Sequence, residues 1–251
     1  MRKPKFNFPI KLIIIILIIF LGALFTVRNL LKLFKTSDYF KIKDIIIFSE
    51  ENIVDLSYLK GENIFTVDLQ KEAGYLMEQY PIYRKISLVR ILPNRISINF
   101  IKRKPVAIIK LYRYFYVNEE AILFDMPEEL ENQDLPLILG LETKIFGPKI
   151  GRRYNIKELT IALNIIKELN LNRALKDYKI KRIDVANLSN ASFTIKELEI
   201  KLDAYNIKDK FNILAGLLNQ LKNDLNNIKY IDLRFKEPVI KLNEAKTYGT
   251  K

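Results

Sequence analysis

The sequence predicts an α+β protein in three successive parts. A single membrane helix leads, a small β-α-α-β-β unit follows, and a mixed β domain with two amphipathic helices ends the chain. Three observations predict this. Leu12–Val27 (LIIIILIIFLGALFTV) holds neither charge nor proline. Residues 81–107 have the alternation and punctuation of a β-hairpin. Beyond them, short alternating runs are interrupted by two stretches with apolar residues at helical spacing. Strands and helices that come in separate runs, rather than in strict βαβ alternation, indicate an α+β layer arrangement.

The apolar run spans roughly 24 Å as a helix, slightly short of a ~30 Å hydrocarbon core. Lys11 and Arg28 can snorkel, and Ile10 and Leu30-Leu31 can lengthen the span at either end. A cleaved signal peptide requires small residues at its cleavage site, but Phe25-Thr26-Val27 runs directly into Arg28-Asn29. The reading is therefore an uncleaved anchor: a tail at 1–11, a membrane helix at 12–31 and a polar connector at 32–39. Four basic residues precede the span (Arg2, Lys3, Lys5, Lys11) and three follow it (Arg28, Lys32, Lys35), with no acid among them. That asymmetry is small, and the expected orientation is a short cytoplasmic N-terminus with the bulk of the chain on the other side.

These seven charges are over half of the formal net charge of +13. The excess therefore has a membrane explanation, and no continuous basic groove or base-stacking motif supports nucleic-acid binding. Cysteine and histidine are both absent. That excludes disulfides, thiolate nucleophiles, most zinc sites and any triad with an imidazole base. No cofactor or metal is expected. The acidic run Glu128, Glu129, Glu131 and Asp134 reads as a solvated loop rather than a cation site.

In the first folded part, Phe40–Phe48 reads as a strand. Asp55–Lys60 and Leu69–Gln79 read as helices divided by the turn Gly61-Glu62-Asn63. Gly74 costs the second helix about 1 kcal/mol relative to alanine without forbidding it. The hairpin follows Pro81: Lys85–Leu92, a turn at Pro93-Asn94, then Arg95–Ile101. Ile96, Ile98 and Phe100 alternate with Arg95, Ser97 and Asn99, giving one apolar and one wet face. Pro93 favours the second position of a type I or II turn. Pro105 closes the unit, which is placed at 40–107.

The second part, 108–244, precedes a tail at 245–251. Val106–Leu111, Tyr114–Val117, Ala121–Phe124 and Leu135–Leu139 read as short strands. Gly147-Pro148 breaks the chain. Lys157–Leu169 is helical, with Leu159, Ala162, Leu163, Ile166 and Leu169 on one stripe. Strands follow at Lys179–Val185 and Glu197–Leu202. A second amphipathic helix, Lys208–Leu225, turns Phe211, Leu214, Ala215, Leu218, Leu221 and Leu225 inward. Lys229–Phe235 and Val239–Leu242 are the last strands.

Four local motifs now bear on identity. Gly61-Glu62-Asn63-Ile64-Phe65-Thr66-Val67-Asp68 resembles a G-x-N-l-f-x-l-d pattern, and Pro81 through Asn94 resembles P-x-v-x-x-a-x-V-x-R-x-x-P-n. Arg103-Lys104-Pro105-Val106-Ala107 is similar to the last five positions of an E-R-x-P-v-A pattern that ends the domain, and Tyr230-Ile231-Asp232-Leu233-Arg234-Phe235 to y-v-D-L-R-y/f. Tyr116–Leu123 and Leu135–Gly140 are similar to l-v-D-x-x-G-x-v-f and l-P-x-l-x-G. These are the patterns of the FtsQ/DivIB cell-division proteins, which the chain resembles along nearly its whole length. Lys102, Phe48-Ser49-Glu50, Asn118, Ala121 and Leu202-Asp203-Ala204-Tyr205 depart from the pattern.

The resemblance implies a short cytoplasmic tail, one membrane helix, a polypeptide-transport-associated (POTRA) domain at the β-α-α-β-β unit, and a β domain after it. It also implies a non-enzymatic scaffold at the septum that binds coiled-coil division proteins of the FtsB/DivIC and FtsL type. Homodimerisation is left open. The expected binding surface is a C-terminal edge strand, because an edge offers unpaired N–H and C=O groups to an added strand. Its candidate residues are Arg234, Phe235, Val239, Ile240, Lys241 and Leu242, with Tyr248 as an aromatic anchor. A POTRA-bearing factor for envelope assembly or protein export is the alternative. Ser57-Tyr58-Leu59-Lys60 matches the S-x-x-K of penicillin-binding proteins, but in so lysine-rich a chain that spacing carries no weight.

Overall fold

The computed structural model describes residues 10–48, 54–125, 134–222 and 224–243. Two compact units divide the chain, Met1–Lys102 and Arg103–Lys251.

The first unit opens with helix α1, Ile10–Thr36. Large apolar side chains from Ile13 to Leu33 stand 49–67% exposed. The helix is long and apolar enough to cross a membrane. It also runs through residues 32–36, which were expected to form a connector. Leu30, Leu31, Lys32, Leu33 and Lys35 are good helix formers, and no breaker precedes Ser37. The Ser37 hydroxyl then accepts from the Tyr39 N–H and caps a single 3₁₀ turn, Asp38–Phe40.

After α1 come strand β1 (Asp44–Ile47), helix α2 (Leu69–Gln79), and strands β2 (Tyr83–Ile91) and β3 (Arg95–Lys102). The sheet order is β1-β3-β2, with β1 parallel and β2 antiparallel to β3. Asp68 starts α2 by accepting from the N–H groups of Gln70 and Lys71, both at 3.1 Å. Leu69 and Leu76 of α2 join Ile42, Leu59, Ile64, Tyr83, Ile86, Ile96 and Ile98 in the core. The helix expected at Asp55–Lys60 is only a 3₁₀ turn, Ser57–Leu59. Asp55 Oδ1 takes the Ser57 N–H, and Gly61 follows at φ +89°, so too little chain remains to nucleate an α-helix. The Leu92–Pro93 bond is cis, an isomer that belongs at the third position of a turn rather than in the type I or II turn expected.

The second unit is built on one sheet. Its strands are β4 (Ala107–Lys110), β5 (Tyr114–Val117), β6 (Leu123–Phe124), β7 (Leu137–Leu139), β8 (Ile180–Asp184), β9 (Ala191–Ile195), β10 (Leu198–Leu202), β11 (Ile228–Asp232) and β12 (Val239–Leu242). Helices α3 (Lys157–Leu171) and α4 (Ile207–Gln220) complete it. Strand order is β12-β11-β10-β9-β8-β7-β4-β5-β6. The β4/β7, β7/β8 and β10/β11 pairs are parallel. Both helices pack their apolar stripes into one core, where Phe193 stacks on Phe211 at 5.4 Å. Helix α4 stops at Gln220, short of the expected Leu225, and β9 was not anticipated. Its inward residues Ala191, Phe193 and Ile195 alternate with half-exposed Ser192 and Thr194.

Candidate protein-interaction edge

Strand β12 is the outer strand at one end of the large sheet. It pairs antiparallel with β11, setting Ile240 beside Ile231, Val239 beside Asp232 and Lys241 beside Tyr230. The Asn243 amide donates to the Asn227 carbonyl at 2.8 Å. Alternation along an antiparallel strand then turns the amides of Leu242 and Ile240 toward the open side.

The side chains sort by face. Ile240 is half-buried and packs on the core, while Leu242, on the same face, is 61% exposed. An added strand would cover that apolar step. Val239 and Lys241 lie exposed on the opposite face. There, cross-strand register forms two rows: Arg182, Thr194, Glu199, Tyr230, Lys241, and Asp184, Ser192, Lys201, Asp232, Val239. Lys201 Nζ sits 4.1 Å from the centre of the Tyr230 ring. Sequence reasoning missed Lys201 and Tyr230 as neighbours of the edge, because nothing local signals the parallel β10/β11 pairing.

Arg234 and Phe235 stand in the loop between β11 and β12. Arg234 is already engaged within its own motif: Nε donates to Asp232 Oδ1 at 2.9 Å and Nη2 to Oδ2 at 2.6 Å. Its backbone N–H adds a bond to Oδ1 at 3.1 Å. The Arg234 hydrogen bond holds the Asp232 carboxyl below its ordinary pKa, against the opposing pull of burial. The guanidinium lies 5.6 Å from the Phe235 ring, and Phe235 is 60% exposed. Ile231 and Leu233 fill the core between these polar residues. The structure thus gathers Arg234, Phe235 and Val239–Leu242 on one edge and its adjoining loop; Tyr248 lies outside the described residues.

Among the described residues, no group of acidic side chains could hold a metal ion. Asp134, from the acidic run, pairs with Lys179 at 3.0 Å, and the run's other acids lie outside the described residues.

The C-terminal domain model of the cell-division protein FtsQ/DivIB matches residues 107–234, half of the chain. The chain belongs to the FtsQ/DivIB family. Relatives that carry the name cell division protein FtsQ include one from Koribacter versatilis, 25% identical over 72% of this chain and 52% of its own length. Those from Syntrophotalea carbinolica (25% identical) and Geotalea daltonii (23%) cover 85% and 80% of this chain. The chain spans about half the length of the first relative and 78% and 73% of the other two. The domain match begins at the first residue of β4 and ends at Arg234, so β12 lies beyond it.

Proposed function

We propose that this FtsQ/DivIB family member is a non-catalytic, single-pass membrane scaffold of the division machinery. In this reading it recruits coiled-coil division proteins of the FtsB/DivIC and FtsL type at the septum by adding a partner strand to β12. The observation that carries it is the β12 edge, open among the described residues, with the Ile240 and Leu242 amides turned outward and Leu242 uncovered there. The lack of histidine and cysteine fits work by binding rather than by chemistry. Family membership weighs for division and against the export alternative.

Leu242→Pro tests the edge. Proline there deletes an outward donor but spares the ladder to β11. Co-purification of the full chain with the coiled-coil pair should fall at least tenfold, while the circular dichroism spectrum stays unchanged. Undiminished capture by a folded Leu242→Pro variant would place the partner surface elsewhere.

A further inference from the structure

Helix α1 is longer than its membrane task requires. Its 27 residues rise about 40 Å, against a hydrocarbon core of ~30 Å. Counted from Leu12, roughly twenty residues exhaust that core, so the last turn, Lys32–Thr36, emerges at headgroup depth. The folded part of the first unit is fastened to this turn. Asn63 Nδ2 donates to the Phe34 carbonyl at 2.9 Å, one of the acceptors a helix C-terminus leaves open. Phe34, Phe40 and Phe65 pack as a triangle with centroid separations of 5.3, 5.1 and 6.2 Å, and Tyr39 lies edge-on to Phe40.

These rings pack together yet do not hide. Tyr39 is 65% exposed, Phe34 44% and Phe65 38%. Water is a poor solvent for such a patch, whereas the membrane–water interface is where amphipathic rings are most at home. Charge points the same way. Arg28, Lys32 and Lys35 recur at i, i+4 and i+7 on one helical stripe. Lys43 and Lys60 are exposed and flank the hydrogen bond from the Gly61 N–H to the Ile42 carbonyl. From Arg28 to Lys43 there are five basic residues and one acid, Asp38, which pairs with Lys41 at 2.7 Å. The bases beyond the span weaken its charge asymmetry, so orientation does not explain them.

We propose that Phe34, Tyr39, Phe40 and Phe65, with Lys32, Lys35 and Lys43, form an interfacial seat for anionic phospholipid headgroups. The seat holds the small domain of the first unit against the bilayer instead of leaving it to swing on a linker. This inference rests on the reading of α1 as a membrane span.

The chain has no cysteine, so single-cysteine nitroxide labelling of the full protein tests it directly. Leu17→Cys, Tyr39→Cys and Tyr75→Cys report the span, the seat and an exposed control on α2. Each is reconstituted in phosphatidylcholine vesicles with and without phosphatidylglycerol, at high and low protein density. The expected result is a label at 17 in hydrocarbon and one at 75 in water. The label at 39 should show a severalfold higher oxygen-to-nickel accessibility ratio than the one at 75, rising with phosphatidylglycerol. Lys32→Glu/Lys35→Glu/Lys43→Glu should abolish that rise. A label at 39 as wet as the one at 75, while 17 stays embedded, would overturn the seat and leave the span standing. A wet label at 17 would sink the span and the seat together. Equal depth in neutral and anionic vesicles would overturn the headgroup assignment. Protection that grows with protein density would assign the rings to a second copy of the chain instead.

Discussion

Two departures from the family pattern have simple physical accounts. Asn118 stands where the resemblance implies aspartate, and its Oδ1 accepts as a carboxylate oxygen could: it takes the N–H groups of Glu120 at 3.2 Å and Ile122 at 2.9 Å. Ala121 replaces glycine at φ +59°, a left-handed conformation that costs an L-residue with a Cβ about 1–2 kcal/mol. Ala121→Gly should therefore raise stability by about 0.5 kcal/mol once glycine's extra chain entropy is counted. At Gly140 the sign reverses. Its φ is +86°, and a Cβ would fall 2.3 Å from the Ala186 backbone nitrogen. Gly140→Ala should cost about 3 kcal/mol, from strain plus overpacking. Melting of the two variants in opposite directions is the check. The sequence marks both places as motif positions, and both have positive φ, so only the space around the Cβ says which one tolerates a side chain.

Asp232 makes a third case at this scale. The resemblance pointed to Asp232-Leu233-Arg234, yet the pattern alone could not tell a partner-facing arginine from one held by its own aspartate. Because the Asp232 carboxyl is held below its ordinary 3.8, its contribution is complete above that value. It is lost as pH falls through the folded-state pKa beneath it. Asp232→Asn should cost about 2 kcal/mol at pH 7, since it leaves Arg234 without its charged acceptor. The difference between wild type and variant should shrink steadily below pH 4 in denaturation curves taken across that range.

Elements were more legible than their arrangement. Strong periodicity revealed α3, α4, the hairpin and β12, because a half-buried element advertises its face. The 3₁₀ turn at Ser57–Leu59 looked like a helix since composition does not register how few residues remain before Gly61. Strand β9 alternates cleanly but is only five residues long and follows a turn, too short a run for its period to stand out. Insertion of β7 between β4 and β8 by parallel pairing leaves no local trace. The motifs held more tertiary information than the periodicity did. Arg90, from the hairpin motif, donates Nε to the Ile64 carbonyl at 2.7 Å and Nη2 to the Val67 carbonyl at 2.6 Å. It thereby clamps β2 to the loop that holds the G-E-N-I-F-T-V-D motif. Arg90→Ala should destabilise the first unit by about 2 kcal/mol. Arg90→Lys should recover less than half of that, because one ammonium cannot reproduce a planar fork. Full rescue by lysine in denaturant titrations would show that charge alone matters there.

At the scale of the whole molecule, the proposed function separates placement from recognition. Seven uncompensated bases and the apolar run lie within residues 1–36, while the candidate edge lies in the last strand of the second unit. Such a division works only if β12 faces the compartment of its partners, so topology is the property on which the proposed function turns. The charge difference across the apolar run is a single residue, four bases before it and three after, so charge alone is a weak determinant of orientation. Orientation is directly measurable in a cysteine-free protein. Lys3→Cys and Tyr205→Cys put a thiol on either side of α1, and Tyr205 is 78% exposed. In intact spheroplasts a membrane-impermeant maleimide should label position 205 and spare position 3 until the membrane is opened. The reverse pattern would place β12 in the cytoplasm, out of reach of an extracytoplasmic partner, and the strand-addition proposal would fall with it.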